Sequence, residues 1–108
     1  MYVLIWEFHA KPGCEDEFAR AYGPGGEWAK LFRRGEGYLG TPLLRDTKNL
    51  RRYLTVDCWT SQTAYENFRQ KWPDEYRALD ERGEALTEQE KFLGGFEKLD
   101  FKSVENDD

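Results

Sequence analysis

"GYLGTPLLRDTKNLRRYLTVDCWTSQTAYENFR", Gly37 to Arg69, is the stretch that decides the fold. Its first part, GYLGTPLLRD, predicts a strand in which Pro42 marks an edge or a bulge. TKN predicts a turn and LRRYLTVDCW another strand, so the two strands form a hairpin. Ser61 is placed to cap a helix, and Tyr65 and Phe68 begin its apolar face. The stretch therefore predicts a β-hairpin that leads into an amphipathic helix.

The segment before it supplies one strand and a broken helical region. YVLIWEFHA, residues 2–10, is rich in β-branched and aromatic residues, and both of its faces begin apolar. CEDEFARAY and EWAKLFRR predict helix, interrupted at Gly23 to Gly26. Alternation in the strand divides its side chains into two faces, Tyr2, Leu4, Trp6 and Phe8 on one and Val3, Ile5, Glu7 and His9 on the other.

The segment after it predicts the end of the second helix and a last strand. Pro73 should kink or restart the helix, because its ring clashes with the preceding turn. GEALTEQE, residues 83–90, predicts a loop. KFLGGFEKLDF, residues 91–101, predicts a strand with a bulge at Gly94–Gly95.

The resulting order is β-α-β-β-α-β, the ferredoxin-like α+β arrangement, with an antiparallel sheet and helices on one face. The sequence predicts one domain of this kind over residues 1–102 and an acidic flexible tail over residues 103–108. The other sheet face carries Val3 and Ile5 and needs a cover. A second copy of the chain is the economical candidate, which predicts a homodimer.

Composition excludes several function classes. A net charge of -5 with only short basic pairs argues against nucleic-acid binding. No apolar run is long enough for a membrane helix. Two isolated cysteines and no signal peptide predict reduced thiols in the cytoplasm. One histidine without a cysteine partner predicts no metal site.

The central stretch resembles the antibiotic biosynthesis monooxygenase-like (ABM) family, which consists of dimeric α+β barrels. In that family a Gly-x-x-Gly strand ends in Leu-Arg-Asp, a hairpin follows, and the next strand ends in Trp-x-Ser before a helix. The order of the outer elements extends the resemblance to residues 1–101. The matching residues are Gly37, Gly40, Leu44, Arg45, Asp46, Trp59, Ser61 and Ala64.

The family includes cofactor-free oxygenases of quinols and polycyclic phenols, haem-degrading enzymes and members without known activity. In the oxygenases a Trp at the end of the third strand and a Tyr early in the next helix help to line a pocket. Trp59 and Tyr65 match that placement. The haem-degrading members use an Asn in the first strand and a His in the second helical region, and this chain has neither. The resemblance therefore implies oxygenation without a cofactor rather than haem degradation.

Cofactor-free oxygenation requires a site that deprotonates the substrate, orients the anion and excludes water. Trp59 offers an indole N–H and Tyr65 a hydroxyl. Trp6, Phe68 and Trp28 are the predicted substrate-binding walls. A packing interpretation stands beside this one, since a Trp at a strand end and a Tyr in a helix also serve as core residues with a satisfied polar tip.

The catalytic base is either His9 or Asp57. His9 shares a strand face with Glu7, which could orient the imidazole, although an exposed His beside a turn is ordinary. Asp57 lies in an apolar strand, where a salt bridge to Arg52 or Arg45 is the competing explanation.

The sequence thus predicts a homodimeric, cofactor-independent monooxygenase that acts on a small phenolic, quinol or polycyclic aromatic substrate. The alternative is a non-catalytic dimer of the same fold that binds a small ligand or serves a stress response. Haem binding is a third and less favoured hypothesis.

Overall fold

The computed structural model describes residues 1–100, so the predicted acidic tail at 103–108 lies outside the described residues. The elements follow the predicted β-α-β-β-α-β order, with both helical regions and the second strand each divided in two. Their bounds are β1 Tyr2–Ala10, α1 Glu15–Tyr22, α2 Glu27–Phe32, β2 Tyr38–Gly40, β3 Leu43–Arg45, β4 Arg52–Trp59, α3 Gln62–Lys71, α4 Pro73–Glu84 and β5 Thr87–Glu97.

The five strands form one antiparallel sheet in the order β2-β4-β1-β5, with β3 also paired to β4. Side chains of β4 alternate strictly between buried and half-buried. Its buried positions face the helices, and so do the alternate positions of β1 that begin at Tyr2. The predicted α+β ferredoxin-like fold with helices on one face is therefore confirmed.

The second strand divides at Thr41 and Pro42, where a bulge or edge was predicted. Proline has no N–H to donate, but the Pro42 carbonyl still accepts a hydrogen bond from the Val56 amide over 3.1 Å. The strand therefore stays beside β4 on both sides of the break.

Both helical breaks fall where they were predicted. A Cβ at Gly26 would collide with the backbone oxygens of Arg20 and Ala21, so only glycine lets the chain turn there between α1 and α2. Ser61 caps α3, its hydroxyl accepting from the Ala64 amide over 3.0 Å. Pro73 occupies the first turn of α4, where its missing N–H is harmless.

The predicted loop over residues 83–90 is wrong for most of its length. α4 continues to Glu84, and β5 begins at Thr87. Thr87 to Glu90 pair with Ala10 to Phe8 of β1, so tertiary pairing overrides the polar composition that suggested a loop. The bulge in β5 lies at Leu93, between the residues that pair with Trp6 and Ile5, one position before the predicted Gly94–Gly95.

The core between sheet and helices consists of two clusters of buried side chains. Trp28 in α2 packs against both of them. The first cluster contains Leu4, Leu31, Phe32, Trp59, Phe68 and Leu79, and the second contains Phe8, Ala10, Phe18, Tyr22 and Tyr53.

Within residues 1–100, no helix covers the opposite face of the sheet. Cross-strand neighbours project to the same side, so the register of β1 with β4 and β5 gathers apolar side chains there. Phe96 is 47% exposed and Leu44 is 49% exposed. The half-buried members of this apolar face are Val3, Ile5, Leu54, Val56 and Cys58.

Replacing Phe18 by alanine should lower the free energy of unfolding by about 3–5 kcal/mol, because it empties a site filled by one large ring. Phe18 is fully buried, and its ring centroid lies 4.3 Å from that of Tyr22 and 4.7 Å from that of Tyr53. Urea denaturation measures the loss. Leu50→Ala, at an exposed position, should change the value by less than about 0.5 kcal/mol. Equal losses in the two variants would contradict this account of the core.

Candidate active site

A narrow pocket opens between the helix-facing side of the sheet and helices α1, α2 and α4. Its cavity volume is about 30 Å³, which is room for about one or two water molecules and less than an aromatic ring needs. Its aromatic walls are Trp6, Phe8, Tyr22, Trp28, Phe32 and Tyr76, and its polar lining residues are Thr41, Thr55, Asp57, Asp80 and Glu90.

Asp57 is the buried carboxyl group of this pocket. The alternation of β4 turns it toward the helices together with Thr55 and Trp59, and only 7% of it is exposed. The Thr41 hydroxyl donates a hydrogen bond to Oδ1 of Asp57 over 3.0 Å. A hydroxyl has one proton to donate, so Tyr38, whose oxygen lies 2.7 Å from that of Thr41, is the donor in that pair. A short chain of hydrogen bonds thus runs from Tyr38 to the carboxylate.

Burial raises the pKa of Asp57 from 3.8 to about 7, and the hydrogen bond from Thr41 opposes that rise only in part. A general base works best with a pKa near the operating pH. The predicted salt bridge is wrong, since among the described residues Asp57 has no ion pair. The Arg52 guanidinium instead binds Glu7 over 2.6 Å and Asp46 over 3.2 Å, on the side of the sheet away from the pocket.

Two of the predicted substrate-binding residues, Trp6 and Trp28, lie in the pocket wall. The alternation of side chains along β1 places Trp6 on the side of the sheet that faces the pocket. Trp28 lies on α2 and packs edge-on against Tyr76 of α4, with 5.0 Å between ring centroids. The pocket thus brings Trp6 and Trp28 together with Asp57.

Trp59, Tyr65 and Phe68 lie beside the pocket, in the core, and not in its lining. The Trp59 side chain is fully buried, and its ring contacts those of Tyr65 at 5.6 Å and Phe68 at 5.2 Å. Trp59 and Phe68 both pack on Phe32, which does line the pocket. The indole N–H of Trp59 is buried without a hydrogen-bond partner among the described residues. The hydroxyl of Tyr65 accepts from Arg69 over 3.2 Å.

His9 lies on the opposite face of the sheet from the pocket. Its Nε2 is 3.4 Å from Oε1 of Glu7, the neighbour predicted for it. Glu7 is engaged mainly with Arg52, which lowers the pKa of its carboxyl. Of the two candidate bases, Asp57 lines the pocket and His9 does not.

Sequence reasoning missed Thr41, Tyr76, Asp80 and Glu90 as pocket residues. Tyr76 and Asp80 are four residues apart, the spacing that puts them on one helix face. That signal was available in the sequence. Thr41 and Glu90 carried no such signal in the sequence. Thr41 reaches the pocket because it lies in the break between β2 and β3, and Glu90 because β5 pairs with β1.

Within residues 1–100 no group of three or more His, Cys, Asp or Glu side chains is arranged to hold a metal ion. Over the same residues, every helix is too short or too polar to cross a bilayer.

Protonation of Asp57 predicts an unusual dependence of stability on pH. Between about pH 4 and pH 7 the folded chain keeps a proton on Asp57 that the unfolded chain has lost, so stability falls as pH rises. The loss should total about 4 kcal/mol relative to Asp57→Asn, which keeps the hydrogen-bond acceptor but does not titrate. Urea denaturation of both proteins from pH 4 to pH 8 measures this difference.

Asp46→Asn is the control, because the contribution of Asp46 to stability changes with pH in the opposite direction. The amide of Lys48 and the guanidinium of Arg52 lower the pKa of Asp46, so its contribution is present above about pH 4 and lost below it. A constant difference between wild type and Asp57→Asn across pH 4–8 would contradict the raised pKa.

The family model of the antibiotic biosynthesis monooxygenases matches residues 1–82. Among solved structures, a mutant of SnoaB, a cofactor-independent oxygenase from Streptomyces nogalater, has a TM-score of 0.75 at 19% identity, with 92% of this chain and 93% of that chain covered. PA3566 from Pseudomonas aeruginosa has a TM-score of 0.65 at 20% identity, with 92% and 94% covered. Protein SO0527 from Shewanella oneidensis has a TM-score of 0.68 at 19% identity, with 90% and 89% covered. No curated protein matches in sequence.

Proposed function

The chain belongs to the antibiotic biosynthesis monooxygenase family, and we propose that it is a cofactor-independent monooxygenase that oxidises a small phenolic, quinol or polycyclic aromatic substrate with O2. The observation that carries the proposal is a buried carboxyl group, Asp57, with a pKa near 7 in the wall of an aromatic pocket. The description of SnoaB as a cofactor-independent oxygenase supports the same reaction class.

The proposed reaction balances without a cofactor. An anthrone-type substrate reacts through its enol tautomer, in which one proton of the CH2 has moved to the oxygen; Asp57 takes this enol proton, and the anion passes one electron to O2. The substrate radical and superoxide combine to form a C–O bond, and the resulting peroxide is protonated. Loss of the remaining proton on that carbon and cleavage of the O–O bond leave a carbonyl, and the second oxygen departs as water. One CH2 and one O2 become one C=O and one H2O.

Each pocket residue has a role in this proposal. Asp57 is the base, and the Thr41 hydroxyl holds its carboxylate in one orientation. Trp6 and Trp28 line the pocket, and in this proposal they move apart to admit the ring and then shield it from water. Trp59, Tyr65 and Phe68 are positioning residues that act through Phe32. Trp59 and Phe68 pack directly on its ring. The position of His9 across the sheet gives no support to the prediction that it is the base.

Oxygen uptake with a panel of hydroquinones and anthrone-type phenols tests the proposal. Asp57→Asn should lower the rate at least about 100-fold, because the general base is lost. For the wild type, kcat/KM should rise with pH up to about 7 and then level off as Asp57 ionises. Trp59→Phe should lower the rate by a smaller factor, since the carboxylate stays in place.

Asp46→Asn, on the far side of the sheet, is the matched control and should keep the wild-type rate. No uptake from the folded wild-type protein across the panel would overturn the oxygenase proposal. It would favour ligand binding without turnover, the second candidate. That candidate has one observation of its own, since no Lys, Arg or His among the described residues lines the pocket to stabilise an anionic substrate.

We also propose that the active form is a cytoplasmic homodimer. A second copy would bury the apolar face around Val56 and Ile5, which no element of the chain covers among the described residues. Both cysteines are free thiols, as a reducing compartment would keep them.

Val56→Asp should convert a dimer into a folded monomer, because it puts a charge in the middle of the apolar face. Sedimentation equilibrium measures the mass, and circular dichroism reports the fold. Ala78→Asp, at an exposed position of α4, makes the same change elsewhere and should leave the dimer intact. A wild-type protein that is monomeric at micromolar concentration would contradict the dimer.

A further inference from the structure

Thr41 lies between two spaces of the molecule. It belongs to the wall of the pocket, and it also lines a surface depression beside β2 together with Tyr38 and Arg33. We propose that Tyr38 and Thr41 form a proton relay that connects Asp57 with the solvent in this depression. The inference rests on the proposed function for the role of Asp57 as the base, and it names two further residues on which that base depends.

The side chains of the relay form a continuous row of hydrogen bonds. The oxygen atoms of Tyr38 and Thr41 are 2.7 Å apart, and the Thr41 oxygen lies 3.0 Å from Oδ1 of Asp57. Both distances are usual for hydrogen bonds between hydroxyl and carboxyl groups. Thr41 and Asp57 are buried, whereas Tyr38 is half-buried. The row therefore begins at a buried carboxyl group and ends at a side chain that lines the surface depression.

The break between β2 and β3 builds this row. Gly40 pairs with Cys58, and the pairing resumes at Leu43. Gly40 has a φ of +130°, which residues with a side chain rarely adopt, so a glycine suits the point where the strand breaks. Thr41 follows it and directs its hydroxyl to Asp57 on the neighbouring strand. The relay thus depends on an irregularity of the edge strand.

A row of hydroxyl groups transfers a proton in either direction, because each hydroxyl accepts one hydrogen bond and donates another. Either oxygen of the Tyr38–Thr41 pair can be the donor. To ionise Asp57, its proton passes to the Thr41 oxygen, and the Thr41 proton passes to the Tyr38 oxygen. The Tyr38 proton passes to a water molecule in the depression. Each O–H bond that breaks is replaced by one that forms, and Asp57 is left as a carboxylate.

Tyr38 stays a neutral phenol throughout this transfer. Burial raises its pKa, the hydrogen bond with Thr41 lowers it, the charge of Asp57 raises it, and the charge of Arg33 lowers it. The net effect is a rise, so a phenolate does not accumulate near neutral pH. Tyr38 therefore has to take up one proton as it releases another, which is how a relay hydroxyl works.

The other titratable groups around the pocket offer Asp57 no hydrogen bond among the described residues. They are Tyr22, Tyr76 and Asp80 on the helices and Glu90 on β5. The Thr41 hydroxyl is the one described partner of the carboxyl group. The row through Thr41 is thus the direct hydrogen-bonded route from Asp57 to the surface.

The relay matters once a substrate ring occupies the pocket. Asp57 has a pKa of about 7, so about half of the molecules carry a protonated and inactive base at neutral pH. A ring in the pocket separates Asp57 from the water at the mouth. The relay leads to the β2 edge of the sheet, opposite the β5 edge where Glu90 lies. It lets Asp57 lose its proton while the pocket is closed.

Carboxyl-carbon NMR of the substrate-free protein tests the relay, with the Asp57 signal assigned by its loss in Asp57→Asn. The shift gives the midpoint of titration, and the line shape near the midpoint gives the rate of proton exchange. Tyr38→Phe keeps the bond between Thr41 and Asp57, so the midpoint should stay and the exchange should slow at least about tenfold. Tyr53→Phe removes a tyrosine hydroxyl from β4 outside the pocket lining and should change neither value.

Variants of Thr41 separate the relay from a structural role. Thr41→Val loses the hydrogen bond that favours the carboxylate, so the midpoint should rise and the exchange should slow. Thr41→Ser keeps a hydroxyl and should keep the wild-type exchange rate. A purely structural role would move the midpoint in Thr41→Val and leave the exchange rate of Tyr38→Phe unchanged, which would overturn the inference. An Asp57 carboxyl that does not titrate between about pH 4 and pH 8 would overturn it as well.

Oxygen uptake by the same proteins distinguishes this inference from the proposed function. Tyr38→Phe should lower kcat and leave KM unchanged, because it slows the recovery of the base without touching the ring. Slowed exchange in Tyr38→Phe, with no uptake by the wild type, would keep the relay and overturn the oxygenase. Uptake by the wild type, with unchanged exchange in Tyr38→Phe, would keep the oxygenase and overturn the relay. Slowed exchange with an unchanged kcat would show that the base does not depend on the relay, contrary to the inference.

Discussion

The register of β4 against β1 is the constraint on which the rest of the molecule depends. It pairs Asp57 with Leu4 and Trp59 with Tyr2, and it puts all four side chains on the helix-facing side. A shift of one residue would exchange the two faces of the strand. Asp57 and Trp59 would then leave the interior, and Val56 and Cys58 would enter it. One register thus assigns both the aromatic core and the only buried carboxyl group among the described residues.

That carboxyl group is a feature that stability alone would not select. Burying Asp57 with only the Thr41 hydroxyl as a partner favours its neutral form and destabilises the fold as pH approaches 7. Local conflicts of this kind concentrate at functional sites, where the surrounding structure holds them in place. The neighbouring aromatic clusters supply that support, since Trp59 and Phe68 pack on Phe32 behind the pocket.

The two faces of the sheet treat charge in opposite ways. On the open face, Glu7 and Asp46 share the guanidinium of Arg52, and the ion pairs sit beside the apolar side chains proposed to meet a second copy. In the pocket, Asp57 has only the neutral hydroxyl of Thr41 as a partner among the described residues, and burial raises its pKa to about 7. The ion pairs of the open face therefore keep their carboxylates charged, whereas the pocket favours a neutral carboxyl group.

The sequence by itself determined the order of the elements and most of the breaks between them. Strand alternation, the Ser61 cap, the glycines at 23–26 and Pro73 are local signals, and each acts through its own backbone geometry. It also placed Trp6, Trp28 and Asp57 among the candidates. Only the tertiary structure decided that Asp57 has no arginine partner, that Trp59 is core beside the pocket, and that Thr41 and Glu90 complete the wall. Those outcomes depend on which strands pair and how helices pack over them, and these long-range contacts leave no periodic trace along the chain. For the same reason residues 87–90 predicted a loop and formed a strand, since their partners lie 77 to 82 positions earlier, in β1.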